Sequence, residues 1–411
     1  MKSPKATLII LAVLITGCTH RAHQEKMDGE EAVTSYTTTQ IAMQNNEFAF
    51  DLMRQIAVED DNVVISPFSI STALAMTYAG ARGNTRDEMS DVMHFSRDQE
   101  GFHPSFGQYL NSLKRRAEGE IELNIANSLW AQEDYHFLDS YFETVERYYH
   151  SKTFQVDFVT NREQVRQDIN QWVFVETGEN IEDLIAPGVF TDDTRLVLVN
   201  AIHFLGAWLK EFDKELTRED IFHLRDGERV RTDFMFRNDT LPYYRSDDLQ
   251  ALEVPYTGKG FSMLFVLPAE ESSLEELEAK LNAEGFANLN QQLTETELQV
   301  IIPPFKARTK TDLEDVLMSM GMVVPFNRFA DFSGMTGDQD LKIDKVIHEA
   351  MIEVGEEGTE AAAATAVVII RKTAIGPEPT IFNANRPFLF FLKDNEDHSI
   401  LFAGRVMNPA Q

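Results

Sequence analysis

The 411-residue chain is 43% hydrophobic with 29 Phe, enough for a large buried core, and its formal charge is −30 with a pI near 4.7. That balance argues against nucleic-acid binding, since phosphate contacts need Lys and Arg, and favours solubility and cationic partners. Length alone suggests two or three domains, but residues 40–411 hold no Ser/Gly/Pro-rich linker and no repeat, so one large mixed α/β domain is expected.

The N-terminus reads as an address. Lys2 and Lys5 precede an apolar stretch, Ala6 to Ile15, with the proportions of a signal peptide and too short to span a bilayer. Ile15-Thr16-Gly17-Cys18 is similar to a bacterial lipobox, in which the cysteine is acylated. Cys18 is the sole cysteine, so no intramolecular disulfide can form. The expected organisation is a signal peptide over 1–17, lipidated Cys18 with a polar tether to 38, and one folded domain over 39–411. Such a protein is exported and membrane-anchored through Cys18, and Thr19 by resemblance points to the outer membrane, facing the periplasm or the cell surface.

From residue 40 the pattern is α+β. Phe48, Leu52 and Ile56 predict an amphipathic helix over 40–57. Val63-Val64-Ile65 reads as a short buried strand. Ser66 and Pro67 have the form of an N-cap and first helical position, with Ile70, Leu74 and Tyr78 on one face and Gly80 and Gly83 at the end. Near-continuous apolar residues from Leu196 to Phe204 predict a strand covered on both faces. Ser262–Leu267 and Gln299–Ile302 are further strands. Thr311 and Glu314 predict a capping box for a helix using Leu313, Val316, Leu317 and Met320. Val346–Val354, Thr380–Leu392 and Ser399–Val406 complete the strands.

Residues Glu356 to Thr373 carry two opposed local instructions. Alanines 361–364 favour helix, whereas Val367 to Ile370 are β-branched and favour strand. The cations Arg371 and Lys372 follow, and Gly376, Pro377 and Pro379 then exclude regular structure. From these residues alone, an Ala-rich helix running into a loop competes with a loop that can become a strand.

Blocks in a fixed order carry a family resemblance. They include Asn62-Val-Val-Ile-Ser66-Pro67-Phe-Ser69-Ile70, Ile169-Asn170-Gln-Trp172-Val173, Leu196-Val-Leu-Val-Asn200-Ala-Ile202 and Gly206 to Trp208. Leu252-Glu-Val-Pro255-Tyr256, Phe382-Asn-Ala-Asn-Arg386-Pro387-Phe388 and Phe402-Ala-Gly404-Arg405-Val406 continue it. Over roughly residues 40–408 the chain resembles the serpin family. The resemblance implies a fold of three β-sheets with about nine helices, an exposed reactive-centre loop and a metastable native state. It implies a suicide inhibitor, not an enzyme: a target protease cleaves the loop, forms an acyl-enzyme, and is trapped when the loop inserts as a new strand.

By the same resemblance, Glu356, Glu357, Gly358, Thr359, Glu360, Ala361, Ala362, Ala363 and Ala364 form the hinge. Lys372–Thr373 is the scissile bond, with Arg371 the alternative if the register moves by one. A basic residue there suits trypsin-like serine proteases, whose primary pocket carries a carboxylate. Lys/Arg-specific cysteine proteases and subtilisin-type proteases are the alternatives, as is a non-inhibitory serpin acting as a binding or chaperone-like module. In an inserted strand, Thr359, Ala361, Ala363, Thr365, Val367 and Ile369 share one face, and none is charged. Ser66, Ser69, Asn200 and His348 match the cluster beneath the point where the sheet opens, and Trp208 matches the residue where the loop first inserts.

Pro304 stands where the family often has a Lys that pairs with the glutamate matching Glu356, which puts that ion pair in doubt. Lys114-Arg115-Arg116 reads as a solvated helix end, so no polyanion cofactor is expected. No spacing suggests a metal site, no other cofactor is implied, and a monomer is expected.

Overall fold

The computed structural model describes residues 37–56, 61–117, 121–359 and 379–411. Among these the helices are α1 (Thr38–Ile56), α2 (Pro67–Tyr78), α3 (Gly83–Met93), α4 (Gln99–Arg116), α5 (Asp139–Tyr149), α6 (Arg162–Glu176), α7 (Leu274–Lys280), α8 (Ala283–Gln292), α9 (Glu314–Ser319) and α10 (Ser333–Thr336). The strands are β1 (Val63–Ile65), β2 (Ile121–Gln132), β3 (Lys152–Val156), β4 (Leu196–Ala207), β5 (Arg218–His223), β6 (Arg229–Arg245), β7 (Leu249–Pro255) and β8 (Phe261–Pro268). They continue with β9 (Thr294–Ile302), β10 (Phe305–Asp312), β11 (Ile347–Val354), β12 (Gly358–Thr359), β13 (Thr380–Asn383), β14 (Phe388–Asp394) and β15 (Ile400–Val406).

Local chemistry accounts for the first elements. Phe48, Leu52 and Ile56 turn one face of α1 into the core, as their four-residue spacing requires. The Ser66 side chain accepts from Ser69 N and caps α2, while Pro67 occupies the position where a missing N–H costs nothing. Nearly every residue of α2 is buried, polar Ser69, Ser71 and Thr72 included, so this is a core helix.

Three sheets organise the rest. One has the order β10-β11-β12-β4-β2-β3. Its longest ladder sets Ile121–Ala131 of β2 antiparallel to Gly206–Leu196 of β4. Helix α6 lies on one face of this sheet, where Ile169 and Val173 meet Trp130 and Val199. The other two sheets share the long strand β6: β1-β15-β14-β8-β7-β6 forms one, and β6 with β5, β9 and β13 forms the other. Strands β8, β14 and β15 are buried along their whole length, which is why their sequences are almost uniformly apolar rather than alternating.

Three expectations fail for identifiable reasons. Thr311 does not cap a helix; it lies in β10 opposite His348, and Asp312 Oδ1 instead accepts from Glu314 N at 3.1 Å. Leu313 and Leu317 nonetheless turn to the core. Thr380–Leu392 is two strands, because Arg386-Pro387 interrupts it and proline has no amide for a ladder. β13 pairs in parallel with β9, and β14 pairs with β8 and β15. The cationic end of α4 is not solvated throughout. Arg116, 13% exposed, binds Asp394 at 2.5 Å, Glu396 at 2.7 Å and Asp397 at 3.0 Å, tying α4 to the β14–β15 connection.

Candidate functional site

In the six-stranded sheet the two-residue β12 stands between β4 and β11, and among the described residues it is what joins them. Gly358 lies opposite Ala207, and Thr359 lies between Gly206 of β4 and Val354 of β11. Gly358 is required here by space. A Cβ at that position would sit 2.1 Å from Gly206 O and 2.7 Å from Ala207 Cα. Thr359 is 1% exposed, and its hydroxyl shares a 2.5 Å hydrogen bond with the Tyr256 hydroxyl. Burial pushes Tyr256 well above the usual tyrosine range, so its phenol stays neutral.

Trp208 braces this end of the sheet. Its ring stacks on Tyr256 at 4.5 Å, its Nε1 donates to Gly355 O at 2.9 Å, and its backbone N donates to Glu357 O at 2.9 Å. The two hinge acids are held by the segment that leaves β4. Thr217 Oγ1 donates to Glu356 at 2.8 Å, Lys214 pairs with Glu357, and Phe212 N donates to Glu356 O at 2.8 Å. Pro304 therefore does not leave these acids unpartnered; Lys214 and Thr217 serve where the sequence pointed to a missing lysine.

The second cluster lies further down the same two strands. His348 Nε2 accepts from Ser66 N at 3.1 Å, and Ser66 Oγ donates to Leu401 O at 2.7 Å. Ser69 Oγ donates to Asn200 Oδ1, and Asn200 Nδ2 donates to Asn127 Oδ1 at 2.6 Å. Asn127 Nδ2 ends the chain on Tyr149 O at 2.8 Å. Burial lowers the His348 pKa to about 4, which keeps its ring neutral and able to accept. Between the two strands a cavity of about 610 Å³ opens, lined by Val197, Val199 and Asn200 on one side and Ile347, His348 and Glu349 on the other.

The expected residues thus form two groups rather than one. Ser66, Ser69, Asn200 and His348 share a network; Trp208 stands with Glu356, Glu357, Gly358 and Thr359, about 26 Å away at strand rise along β4. Cys18, Glu360, Ala361, Ala362, Ala363, Ala364, Arg371, Lys372 and Thr373 lie outside the described residues. Asn127, Tyr256, Lys214 and Thr217 were not anticipated as site residues. Only Asn127 left a clear signal: it occupies an inward position in the alternation Ile121, Leu123, Ile125, where a polar residue needs buried partners.

A family model described as "Serpin (serine protease inhibitor)" matches residues 43–409. The chain is a serpin. It is 40% identical over 365 residues to an uncharacterised serpin-like protein of Thermococcus kodakarensis, covering 89% of this chain and 84% of that one. It is 39% identical to human Serpin B3 over 389 residues, covering 89% and 98%. The solved structure of cleaved Serpin 42Da superposes with a TM-score of 0.81 at 31% identity, covering 90% and 98%. The serpin's blocks, order and three sheets accordingly agree with the resemblance read from the sequence. Proteins of this family are typically inhibitors of proteases rather than enzymes.

Proposed function

We propose that this serpin is a suicide inhibitor of trypsin-like serine endopeptidases, cleaved at Lys372–Thr373 and trapping the protease as its loop inserts between β4 and β11. The observation that carries the proposal is β12: the first hinge residues already form a strand in the slot, with an open cavity below them.

Continuing the register of Thr359 tests the loop residue by residue. Each further residue steps one place down both flanking strands, so Ala361 falls between Phe204 and Ile352, and Ala363 between Ile202 and Ala350. Thr365 then falls between Asn200 and His348, beside the polar network. Phe204, Ile202, Ile352 and Ala350 are buried, so small uncharged residues are what this face accepts. Glu360 falls on the opposite face beside Glu353, which is exposed and bound to Lys306. About a dozen new ladder bonds at roughly 1 kcal/mol each, with Val and Ile burial, give a driving force on the order of 10 kcal/mol.

The deciding experiment mixes the protein with trypsin and separates the products on a denaturing gel. An inhibitor yields a covalent adduct and a released peptide beginning at Thr373; Arg371 as the reactive residue would start it at Lys372. Cleavage without an adduct sinks the proposal in favour of a non-inhibitory binding module. We also propose that acylated Cys18 anchors the exported protein to a bacterial outer membrane, so Cys18→Ala is expected to move it from the membrane to the soluble fraction.

A further inference from the structure

Among the described residues β4 and β11 share no ladder pair of their own, and β12 bridges them at one end only. The cavity of about 610 Å³ lies below that bridge. At its far end the two walls are tied through side chains instead. Tyr135, in the connection from β2 to α5, lines the foot of the cavity together with Arg195 on the β4 side and Asp340 on the β11 side.

Tyr135 is fixed to the β4 wall. Gln132 N, at the end of β2, donates to Arg195 O at 2.8 Å, and the Arg195 guanidinium lies over the Tyr135 ring at 5.5 Å. Arg195 is held in turn, because its Nη1 donates to Asp192 O at 2.7 Å. Asp340 belongs to the segment that leads into β11. One of its oxygens accepts from Thr336 Oγ1 at 3.0 Å, and the other accepts from the Tyr135 hydroxyl. Burial and the Asp340 carboxylate push the Tyr135 pKa up to about 12, so the phenol keeps the proton that it donates.

The register of the proposed inserted strand runs into this tie. Stepping down from Thr359, position 370 falls level with Arg195 and position 373 level with Asp340. A strand entering there parts the walls by about one strand spacing, roughly 4.8 Å, whereas a hydrogen bond is lost beyond about 3.5 Å. We propose that Tyr135 and Asp340 form a latch at the foot of the slot that exists only in the closed sheet, so the last residues of the loop enter by breaking it. Tyr135 is then a positioning residue for insertion. It holds the foot of β11 to β4 until the ladder bonds of the entering strand replace the bond that is lost. This role rests on the proposed loop insertion.

The test is a double-mutant cycle, Tyr135→Phe with Asp340→Ala, on the whole protein in two forms. One form is intact; the other is cut in the loop by limited proteolysis and purified from any adduct. Guanidinium unfolding reads both. In the intact form the two losses should overlap by about tenfold in the folded-to-unfolded ratio, the coupling of one partly exposed bond to a charged acceptor. In the cut form the coupling should vanish. Asp340→Asn keeps an acceptor for the phenol and should lose little in either form. A tyrosine with a merely structural role couples to Asp340 equally in both forms; that result overturns the latch, as does the absence of coupling in the intact form. The parent protein separates this from failure of the proposed function. If cutting the loop does not raise its stability, insertion itself fails and the latch loses its role with it; if stability rises and the coupling persists, only the latch falls.

Discussion

Thr359→Arg is the substitution that most directly challenges the proposed mechanism. Thr359 is 1% exposed, wedged between Gly206 and Val354, and among the described residues its side chain bonds a neutral phenol. A guanidinium placed there swaps the neutral hydroxyl contact for a buried charge, and an unpaired buried charge costs several kcal/mol. Leaving the slot costs less. It forfeits the Tyr256–Thr359 bond, the Gly355 N to Gly358 O bond and the ladder contact of Thr359, about 3 kcal/mol at roughly 1 kcal/mol each. The hinge of the variant therefore stands outside the sheet, and insertion must begin by burying the charge. A barrier raised by about 3 kcal/mol slows insertion about a hundredfold, while deacylation of the bound protease is unaffected. On a denaturing gel with trypsin, the ratio of adduct to cleaved product should fall by more than about tenfold. Thr359→Ser keeps the hydroxyl and the volume and should keep the adduct. An arginine variant that traps trypsin as well as the parent protein would refute the reasoning, as would a serine variant that traps none.

Three further outcomes follow from the same geometry. The His348 pKa lies near 4 when folded and near 6.5 when unfolded, so the unfolded chain binds its proton first as pH falls. Stability from this group is complete above about pH 6.5 and declines by about 3 kcal/mol on the way to pH 4. Urea unfolding of His348→Asn should lack that part of the slope, while buried His103, with its pKa near 3, still contributes in both proteins. Arg116→Ala strands the buried Asp394 carboxylate and should lower stability by about 3 kcal/mol in thermal unfolding. Arg116→Lys should restore only part of this, because one ammonium cannot reproduce three directed N–H contacts. Lys214→Ala with Thr217→Val frees Glu357 and Glu356, and amide exchange at residues 356–359 should accelerate; unchanged exchange would mean that these side chains do not hold the hinge.

Much of the fold was legible because its signals are local. The four-residue spacing of Phe48, Leu52 and Ile56, the Ser66-Pro67 start of α2 and the unbroken apolar run of β8 each depend on neighbours in sequence. The misreadings come from the same source. Thr311 and Glu314 satisfy a capping pattern, but pairing with His348 claims Thr311 for a strand. Lys114-Arg115-Arg116 looks like a solvated terminus until the distant acids 394, 396 and 397 reach Arg116. Local pattern states what a residue can do, and only the fold decides which of those options has a partner.

The hinge shows why the site was less legible than the fold. Alternation along the loop identifies Thr359, Ala361, Ala363 and Thr365 as one uncharged face, and that face is the one Thr359 presents to buried Tyr256. How far the hinge enters is a different quantity. It depends on Gly358 clearing Gly206 O, on Lys214 and Thr217 restraining two acids, and on a few hydrogen bonds of about 1 kcal/mol apiece. Gly206, Lys214, Thr217 and Tyr256 all lie more than a hundred residues from Thr359, and the balance among these contacts is small. Under the proposed insertion, a sequence that reads as loop, helix or strand with nearly equal ease is what such a balance requires: an Ala run decisively a strand would insert unprompted, and one decisively a helix would not insert at all.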